Sequence, residues 1–412
     1  MKRAAIAVSV CFGMAPSVAF AFDWSIKASE SEAVEFNSNQ FLRTSPAGSV
    51  GSYTTLTADA EARTPTSKFN FAGDGSYKKY WGPGVAGASE FLNYGFRARY
   101  EQREKTRFDR EYVEAVWRQQ STSLALLNDL GVSVPGSGFI DRLTATGGID
   151  RSITSIDTVS LFATSSRTSY EPSSGGTPFT DTLARGNWRR QLSPVTAINL
   201  SSEYELLEYG NALNTQVQIF RDQVGFDTTL SAVLSFRANA GVAYLVTDRG
   251  VSSSPFGGTN SATPVSSSVA DWIGDAVLTY RVLKSTTLSV TASQSVGPSV
   301  VGSLFKRDSI AASLSHSINS RSSLTLSASG NRQIATTTTD YASASATYSY
   351  TLTREWLASA TYRYQHRFAS TGGATIIDPI TGTPTVAGTG PADSHSLMFV
   401  VTHNWTILPS GN

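Results

Sequence analysis

The stretch that most constrains the fold is Asp340–Arg367, DYASASATYSYTLTREWLASATYRYQHR. Ala342, Ala344, Ala346, Tyr348 and Tyr350 share one parity, while Ser343, Ser345, Thr347 and Ser349 share the other. After a polar break at Leu352-Thr353-Arg354-Glu355 the alternation resumes. Trp356, Ala358, Ala360, Tyr362 and Tyr364 then oppose Ser359, Thr361, Arg363, Gln365 and Arg367. Successive strand side chains point to opposite faces, so this is a two-faced β-hairpin. Its apolar face is aromatic at the ends and small in the middle. A soluble sheet puts its largest apolar groups at the centre, where burial is deepest. Tyr and Trp at the margins instead fit a wall whose edges lie at membrane interfaces. Trp356 to Tyr364 is a span of nine residues, within the ~9–11 of a tilted membrane-crossing strand. The hairpin predicts an all-β fold, a transmembrane antiparallel barrel.

The beginning of the chain predicts the compartment. Met1–Ala21 carries Lys2 and Arg3, then the apolar run Ala4–Phe12, then Ala19-Phe20-Ala21 as a small-x-small cleavage site. This reads as a secretory signal peptide, which places the barrel in residues 22–412. A lipoprotein signal at Cys11 would want a small residue where Val10 stands. Cys11 is the one cysteine of the chain, so cleavage leaves no disulfide, thiolate or Cys-ligated metal. Lys2 and Arg3 leave too, so 33 basic residues become 31 against 32 acidic ones. That balance gives no support to nucleic-acid binding. No apolar run long enough for a membrane helix follows the leader. A leader followed by amphipathic strands predicts the outer membrane of a Gram-negative bacterium, with its lipid and the barrel-assembly machinery as partners.

Eighteen strand-like segments can be read, from Asp23–Val34 to His395–Trp405, with sixteen strands the alternative. The fifth is read as Glu111–Leu126 and the tenth as Thr215–Thr228. Short connections such as Arg63–Ser67, Thr154–Asp157, Asn319–Arg321 and Leu352–Glu355 alternate with longer ones. The longer set includes Glu35–Ser52, Lys78–Glu90, Arg249–Ser268 and Phe368–Ser394. Short periplasmic turns and longer extracellular loops are the habit of outer-membrane barrels. The short turns share a shape, as in RSITSIDTVSL, RQLSPVTAINL and HSINSRSSLTL: an apolar residue, a polar turn, then Thr or Ser before an apolar residue. The phase runs through the whole of residues 22–412 and leaves no room for a second domain. A secreted β-sandwich or solenoid would also alternate, but would need neither the short–long phase nor the aromatic margins.

Parity assigns the faces. Leu92, Tyr94, Phe96, Ala98 and Tyr100 oppose Asn93, Arg97, Arg99 and Glu101. Leu200, Tyr204 and Leu206 oppose Glu203 and Glu205, and Phe236 and Val242 oppose Arg237. Trp272 and Tyr280 oppose Asp275 and Arg281. An Arg or Lys on the lipid face costs ~2–4 kcal/mol near the midplane, so the charged faces should line the interior. The expected pore-lining set is Arg97, Arg99, Glu114, Arg118, Glu203, Glu205, Arg237, Asp275, Arg281 and Arg363. These residues suit cross-strand ion pairs that stiffen a wide barrel, or a path for anions and sugars. Thr215–Thr228 shows no clean parity around Arg221-Asp222, where a bulge would re-aim the side chains.

Catalytic and metal motifs are missing. The histidines are His316, His366, His395 and His403, and no HxxxH pair or nucleophile motif contains them. They read as interfacial histidines, so neither enzymatic activity nor a cofactor is expected. Lys78-Lys79-Tyr80-Trp81 heads an expected extracellular loop, where its aromatics would stack on sugar rings or sit in the interface belt.

Two stretches carry a family resemblance. Tyr94–Gly131 passes from a charged strand through Ser121-Thr122-Ser123 into the turn Leu127-Asn128-Asp129-Leu130-Gly131. Leu192–Leu245 begins with the turn Leu192-Ser193, then Thr196 and Ile198, feeding a strand with Tyr204 and Tyr209. The chain resembles outer-membrane barrel proteins of bacterial exopolysaccharide systems, including the exosortase/PEP-CTERM-associated group, in layout over roughly 22–405. The resemblance implies a pore that assists exopolysaccharide export or assembly, with a periplasmic polysaccharide-export protein and a glycan as partners. Such barrels commonly stop on an aromatic residue, whereas this chain runs on from Trp405 to Asn412. Without the resemblance, the residues predict only a wide polar lumen; the exopolysaccharide role is the leading reading and a diffusion or substrate-selective porin the alternative. A surface barrel with no flux is the third reading.

Overall fold

The computed structural model describes residues 23–40, 42–85, 90–103, 109–121, 138–171, 177–210, 215–249, 265–298, 304–334, 338–369, 375–377, 384–386 and 390–408. The expected leader Met1–Ala21, the expected turn Leu127–Gly131 and about half of the Phe368–Ser394 connection lie outside them. Eighteen strands form one antiparallel sheet in which sequence neighbours pair. They are β1 Asp23–Asn37, β2 Ser49–Arg63, β3 Ser67–Trp81, β4 Glu90–Arg103, β5 Arg110–Ser121 and β6 Phe139–Ser152. Then come β7 Asp157–Tyr170, β8 Phe179–Ser193, β9 Thr196–Tyr209, β10 Gln216–Ser231, β11 Leu234–Arg249 and β12 Val265–Leu283. β13 Thr286–Pro298, β14 Leu304–Ser317, β15 Ser322–Ile334, β16 Thr338–Thr351 and β17 Trp356–Arg367 follow. β18 Thr375–Ile377 and β19 Pro384–Val386 form a separate two-stranded piece, and β20 Ala392–Leu408 is the last wall strand.

The sheet closes on itself. β1 pairs with β2 on one side and with β20 on the other, from Lys27↔Thr406 to Asn37↔Ser396. Closure removes the unpaired edges that a membrane would not tolerate. The first and last wall strands both end beside the short turns, as an even strand number requires.

Local chemistry fixes the short turns. The Thr64 hydroxyl accepts from the backbone N–H of Ser67, and Thr154 does the same for Asp157. Thr353 accepts from Trp356, and the Asn319 side chain from Ser322. Each is a side-chain-capped turn of the Ser/Thr or Asx kind. The hairpin repeat visible in the sequence is therefore one turn mechanism used repeatedly.

The expected faces hold. On β16 and β17, Tyr348 and Tyr362 stand on the outer wall. On the inner face Ser345 bonds Ser327, and Thr347 bonds Thr361, across the ladder. Outward Leu92, Phe96, Leu200, Val242 and Trp272 are likewise exposed, as a lipid-facing wall requires.

Three expectations change. β5 ends at Ser121, and the remainder of Glu111–Leu126 lies outside the described residues. No register shift occurs at Arg221-Asp222, because β10 pairs continuously there with both β9 and β11. Its shift lies at Thr229/Ser231. Parity is obscured because Val217 and Ile219 point inward, at 2% and 0% exposure, while Asp222 points outward. Finally, Lys78–Trp81 completes β3 rather than heading a loop. Its alternation sends Trp81 outward and Tyr80 inward, where it is buried.

Candidate functional site in the barrel interior

Several inward charges are paired with acids of other strands. Arg99 faces Glu114 across the β4–β5 ladder and bonds it at 3.2 Å, while also reaching Glu101 at 3.3 Å. The Tyr112 ring lies under the Arg99 guanidinium, 4.6 Å away. Arg97 donates to the Asn70 side chain at 3.1 Å, and Arg118 reaches Asp74 at 3.4 Å. Arg237 is opposite Asp227 and pairs with it at 2.5 Å. Asp275 accepts from Asn239 at 3.0 Å. Arg99–Glu114, Arg237–Asp227 and Asn239–Asp275 join directly opposed residues of neighbouring strands, the sheet's own means of fixing register.

The second cluster is more enclosed. Arg221 bridges Glu203 and Glu205, and Arg185 bonds Glu203 from the other side at 2.8 Å. Glu203 and Glu205 are 8% and 4% exposed. Buried carboxylates persist only when paired and hydrogen-bonded, and the two arginines supply that. Sequence parity found both acids. It missed Arg221 because Val217 and Ile219, which precede it on the same face, are apolar.

Beside this cluster the interior turns hydrophobic. Phe179, Leu207, Tyr209, Val217, Ile219, Ala243, Leu245, Ile273 and Val296 pack together toward the long-loop end. Val296 reaches them because the β12–β13 ladder stops at Gly274↔Gln294, although β12 and β13 both continue. Arg221 donates to the Val296 carbonyl at 2.7 Å. A second inward apolar group, Ala33, Tyr53, Tyr80, Val85 and Phe91, lies in the sector of β1 to β4. The expected wide polar lumen is thus interrupted by two packed apolar sectors near one end.

Between β1–β3 and β14–β20 lies a cavity of about 570 Å³. Lys78, Arg307 and Arg363 enter it from three separate strands, and Glu35 is the acid among its lining residues. Asn331, Gln333 and Gln365 add amides. The Tyr53 and Tyr80 hydroxyls bond at 2.7 Å and their rings meet edge to face. Gly51 makes room for this wall, since a Cβ there would sit 2.7 Å from the Tyr80 ring.

The structure therefore sorts the ten expected residues. Arg99 pairs with Glu114, and Glu203 and Glu205 join through Arg221. Arg97, Arg118, Arg237 and Asp275 have polar partners of their own. Arg363 lines the cavity. Arg281 stands exposed near the short-turn rim, with no ion pair among the described residues. The histidines occupy the outer wall: His403 stacks on Trp356 at 4.3 Å, and His366 bonds Asp393 at 2.7 Å. His316 bonds Thr286, and His395 bonds Tyr362.

No family model and no curated protein matches this chain. Among solved structures it is similar to the ferric-catecholate import receptor Fiu of E. coli K12 in its open form. That likeness has 11% identity, covers 93% of this chain and 82% of the other, and has a TM-score of 0.49. It is also similar to OccK2 (OpdF) of Pseudomonas aeruginosa, with 11% identity, 93% and 98% coverage and a TM-score of 0.47. The FrpB iron transporter of Neisseria meningitidis, F5-1 variant, shows 8% identity, 93% and 82% coverage and a TM-score of 0.49.

Proposed function

We propose that this chain is a substrate-selective channel of a Gram-negative outer membrane, passing polar, hydroxyl-rich solutes. The observation that carries this reading is the interior. A closed eighteen-strand wall surrounds a charged lumen whose long-loop end is narrowed by packed apolar sectors, leaving a bounded polar cavity. Barrels of sixteen to eighteen strands leave an aqueous channel unless something fills them. Partial filling selects, whereas an open bore only sieves. Residues 1–21 act as the export leader, and the barrel-assembly machinery inserts the strands. The histidines sit on the outer wall away from the charged interior, which supports a role in passage rather than catalysis. Reconstitution into planar bilayers tests the proposal: discrete conductance steps are expected, and their absence at every voltage would leave a surface barrel with no flux.

A second reading keeps the exopolysaccharide role, and the resemblance in Tyr94–Gly131 and Leu192–Leu245 favours it. There the chain assists export or assembly with a periplasmic polysaccharide-export protein, and the cavity holds one segment of the glycan. A deletion strain separates the readings. Lost polymer secretion favours the second, and unchanged secretion with impaired uptake of a small nutrient favours the first.

A further inference from the structure

The geometry points to the outer wall of β7–β10 as an interface through which two copies of this chain pair side by side about a two-fold axis. The inference rests on the membrane-embedded wall of the reading above, and not on what the lumen passes. Arg151, Arg167, Arg190 and Arg332 take outward positions on the wall strands. All but Arg167 meet an acid of their own barrel. Arg151 reaches Asp109 and Glu111, Arg190 lies 3.9 Å from Asp157, and Arg332 bonds Asp340 at 2.8 Å. Arg167 is exposed beside Leu143 and Thr180 and has no ion pair among the described residues. Asp222 is its counterpart of opposite sign. It is exposed on the outer wall between Phe220 and Val224 of its own strand, opposed by Ser202 and Val242. It too has no ion pair among the described residues. An ionised side chain on a wall set in lipid is costly, and more so away from the interfaces. Such a group persists where a partner answers it.

The two charges are placed to answer each other between copies. Two barrels in one membrane share an up and a down, so a two-fold axis between them runs along the barrel axis and groups of equal height meet. Arg167 stands ten residues up from the short-turn end of β7, counted from Asp157. Asp222 stands nine up from that of β10, counted from Ser231. Their heights differ by about one residue, ~3.3 Å along a strand. β7 and β10 flank β8 and β9. An axis through the middle of β8–β9 therefore brings Arg167 of one copy to Asp222 of the other, and Asp222 to Arg167. Between the two charges the wall is hollow. A depression of about 640 Å³ is floored by Gly147, Ala163, Ala184 and Gly186 and edged by Leu161 and Tyr204. Small residues let two backbones approach closely, which brings a forked guanidinium within reach of the facing carboxylate. Glu30 and Glu32 also face outward, on β1 at the far side of the barrel, and Glu32 accepts from Thr54 at 3.1 Å. No arginine faces outward on the strands beside them, so that side offers no self-matching pair.

The test uses the chain from residue 22, refolded in detergent, with its mass read by density-matched sedimentation equilibrium. A dimer is expected. Arg167→Gln and Asp222→Asn should each raise its dissociation constant by about 10- to 100-fold, the scale of a charge-assisted hydrogen bond. Exchanging the charges, Arg167→Asp with Asp222→Arg, should restore the dimer, an outcome that loss of packing does not produce. Heat-modifiable migration confirms that each variant is folded. A cross-link reads the same face with both charges intact. Ala184→Cys, close to the axis, should be joined to its copy by a short bis-maleimide in the outer-membrane fraction, whereas Ala346→Cys on β16 should not. A monomer or a trimer overturns the inference. So does a dimer unchanged in folded Arg167→Gln and Asp222→Asn, or cross-linking at residue 346 in place of 184. Conductance in planar bilayers from a monomer ends the inference and leaves the channel standing, whereas a dimer without conductance does the reverse.

Discussion

Arg221 donates a hydrogen bond to the backbone carbonyl of Val296 at 2.7 Å, tying the inner face of β10 to the end of β13. The contact crosses the interior, because β13 has left its ladder with β12 by that point. The same guanidinium holds Glu203 and Glu205. Replacing Arg221 by Met removes the tie and leaves two enclosed carboxylates short of a partner. Breaking a buried pair from one side costs ~3–5 kcal/mol. Arg221→Met should therefore unfold at a distinctly lower temperature in detergent, and its single-channel conductance should rise as the end of β13 loosens. Unchanged conductance with lowered stability would show that β13 is held without Arg221.

The apolar sector gives a second expectation. Ile219 is fully buried inside the barrel, whereas Val224, on the same strand, is 63% exposed on the outer wall. Truncating a buried Ile to Ala costs ~2–5 kcal/mol through lost contacts and the cavity left behind. Ile219→Ala should lower the detergent unfolding temperature well below that of Val224→Ala. If the two variants unfold together, the inward cluster is not packed.

The outer wall can be tested on β17. Ala360 lies on the outer wall beside Tyr348 and Phe399, while Thr361 faces inward and bonds Thr347 at 3.0 Å. Arginine on the lipid face costs ~2–4 kcal/mol near the midplane. Ala360→Arg should give little heat-modifiable protein in the outer-membrane fraction. Thr361→Arg borders the polar cavity and should assemble, losing only a hydroxyl contact. Equal yields for the pair would reverse the facing.

How much of this was legible follows from what a sequence must repeat. All eighteen strands could be read because the outer face of each is apolar and the inner face polar for most of its length, which enforces period two. The strand ends were read short on the long-loop side. β2 begins at Ser49 rather than Tyr53, and β12 at Val265 rather than Val269. Toward the long-loop end the alternation lapses, as at Ser49–Ser52 and Val265–Ser268, so it no longer marks the strand. The mixed charge of the interior was visible, but which Arg meets which Glu depends on register. Arg221 was hidden by inward Val217 and Ile219, since apolar residues inside a barrel imitate the outer face. The cavity was not legible at all, because Lys78, Arg307 and Arg363 converge from strands far apart in the chain.

The lapse of the β12–β13 ladder makes the sharpest structural prediction. Below the lapse, Ala276 and Ala292 are directly opposed. If the ladder continued in the same register, Trp272 would oppose Val296. Instead Trp272 stands on the outer wall at 72% exposure, and Val296 lies in the inner cluster at 9%. The Gln294 side chain fills part of the gap by donating to the Trp272 carbonyl at 2.8 Å. A disulfide needs Cα atoms within ~7 Å and converging Cβ vectors. Cys11 is the one cysteine of the sequence, so a chain begun at residue 22 carries only the introduced pair. Ala276→Cys with Ala292→Cys should form a disulfide readily under mild oxidation, seen as a mobility shift that reductant reverses. Trp272→Cys with Val296→Cys should not. Adding Arg221→Met to the second pair should raise its cross-linking, since the freed end of β13 can then meet β12. Efficient cross-linking of residues 272 and 296 with Arg221 intact would mean that the ladder is continuous and that Val296 belongs to the wall.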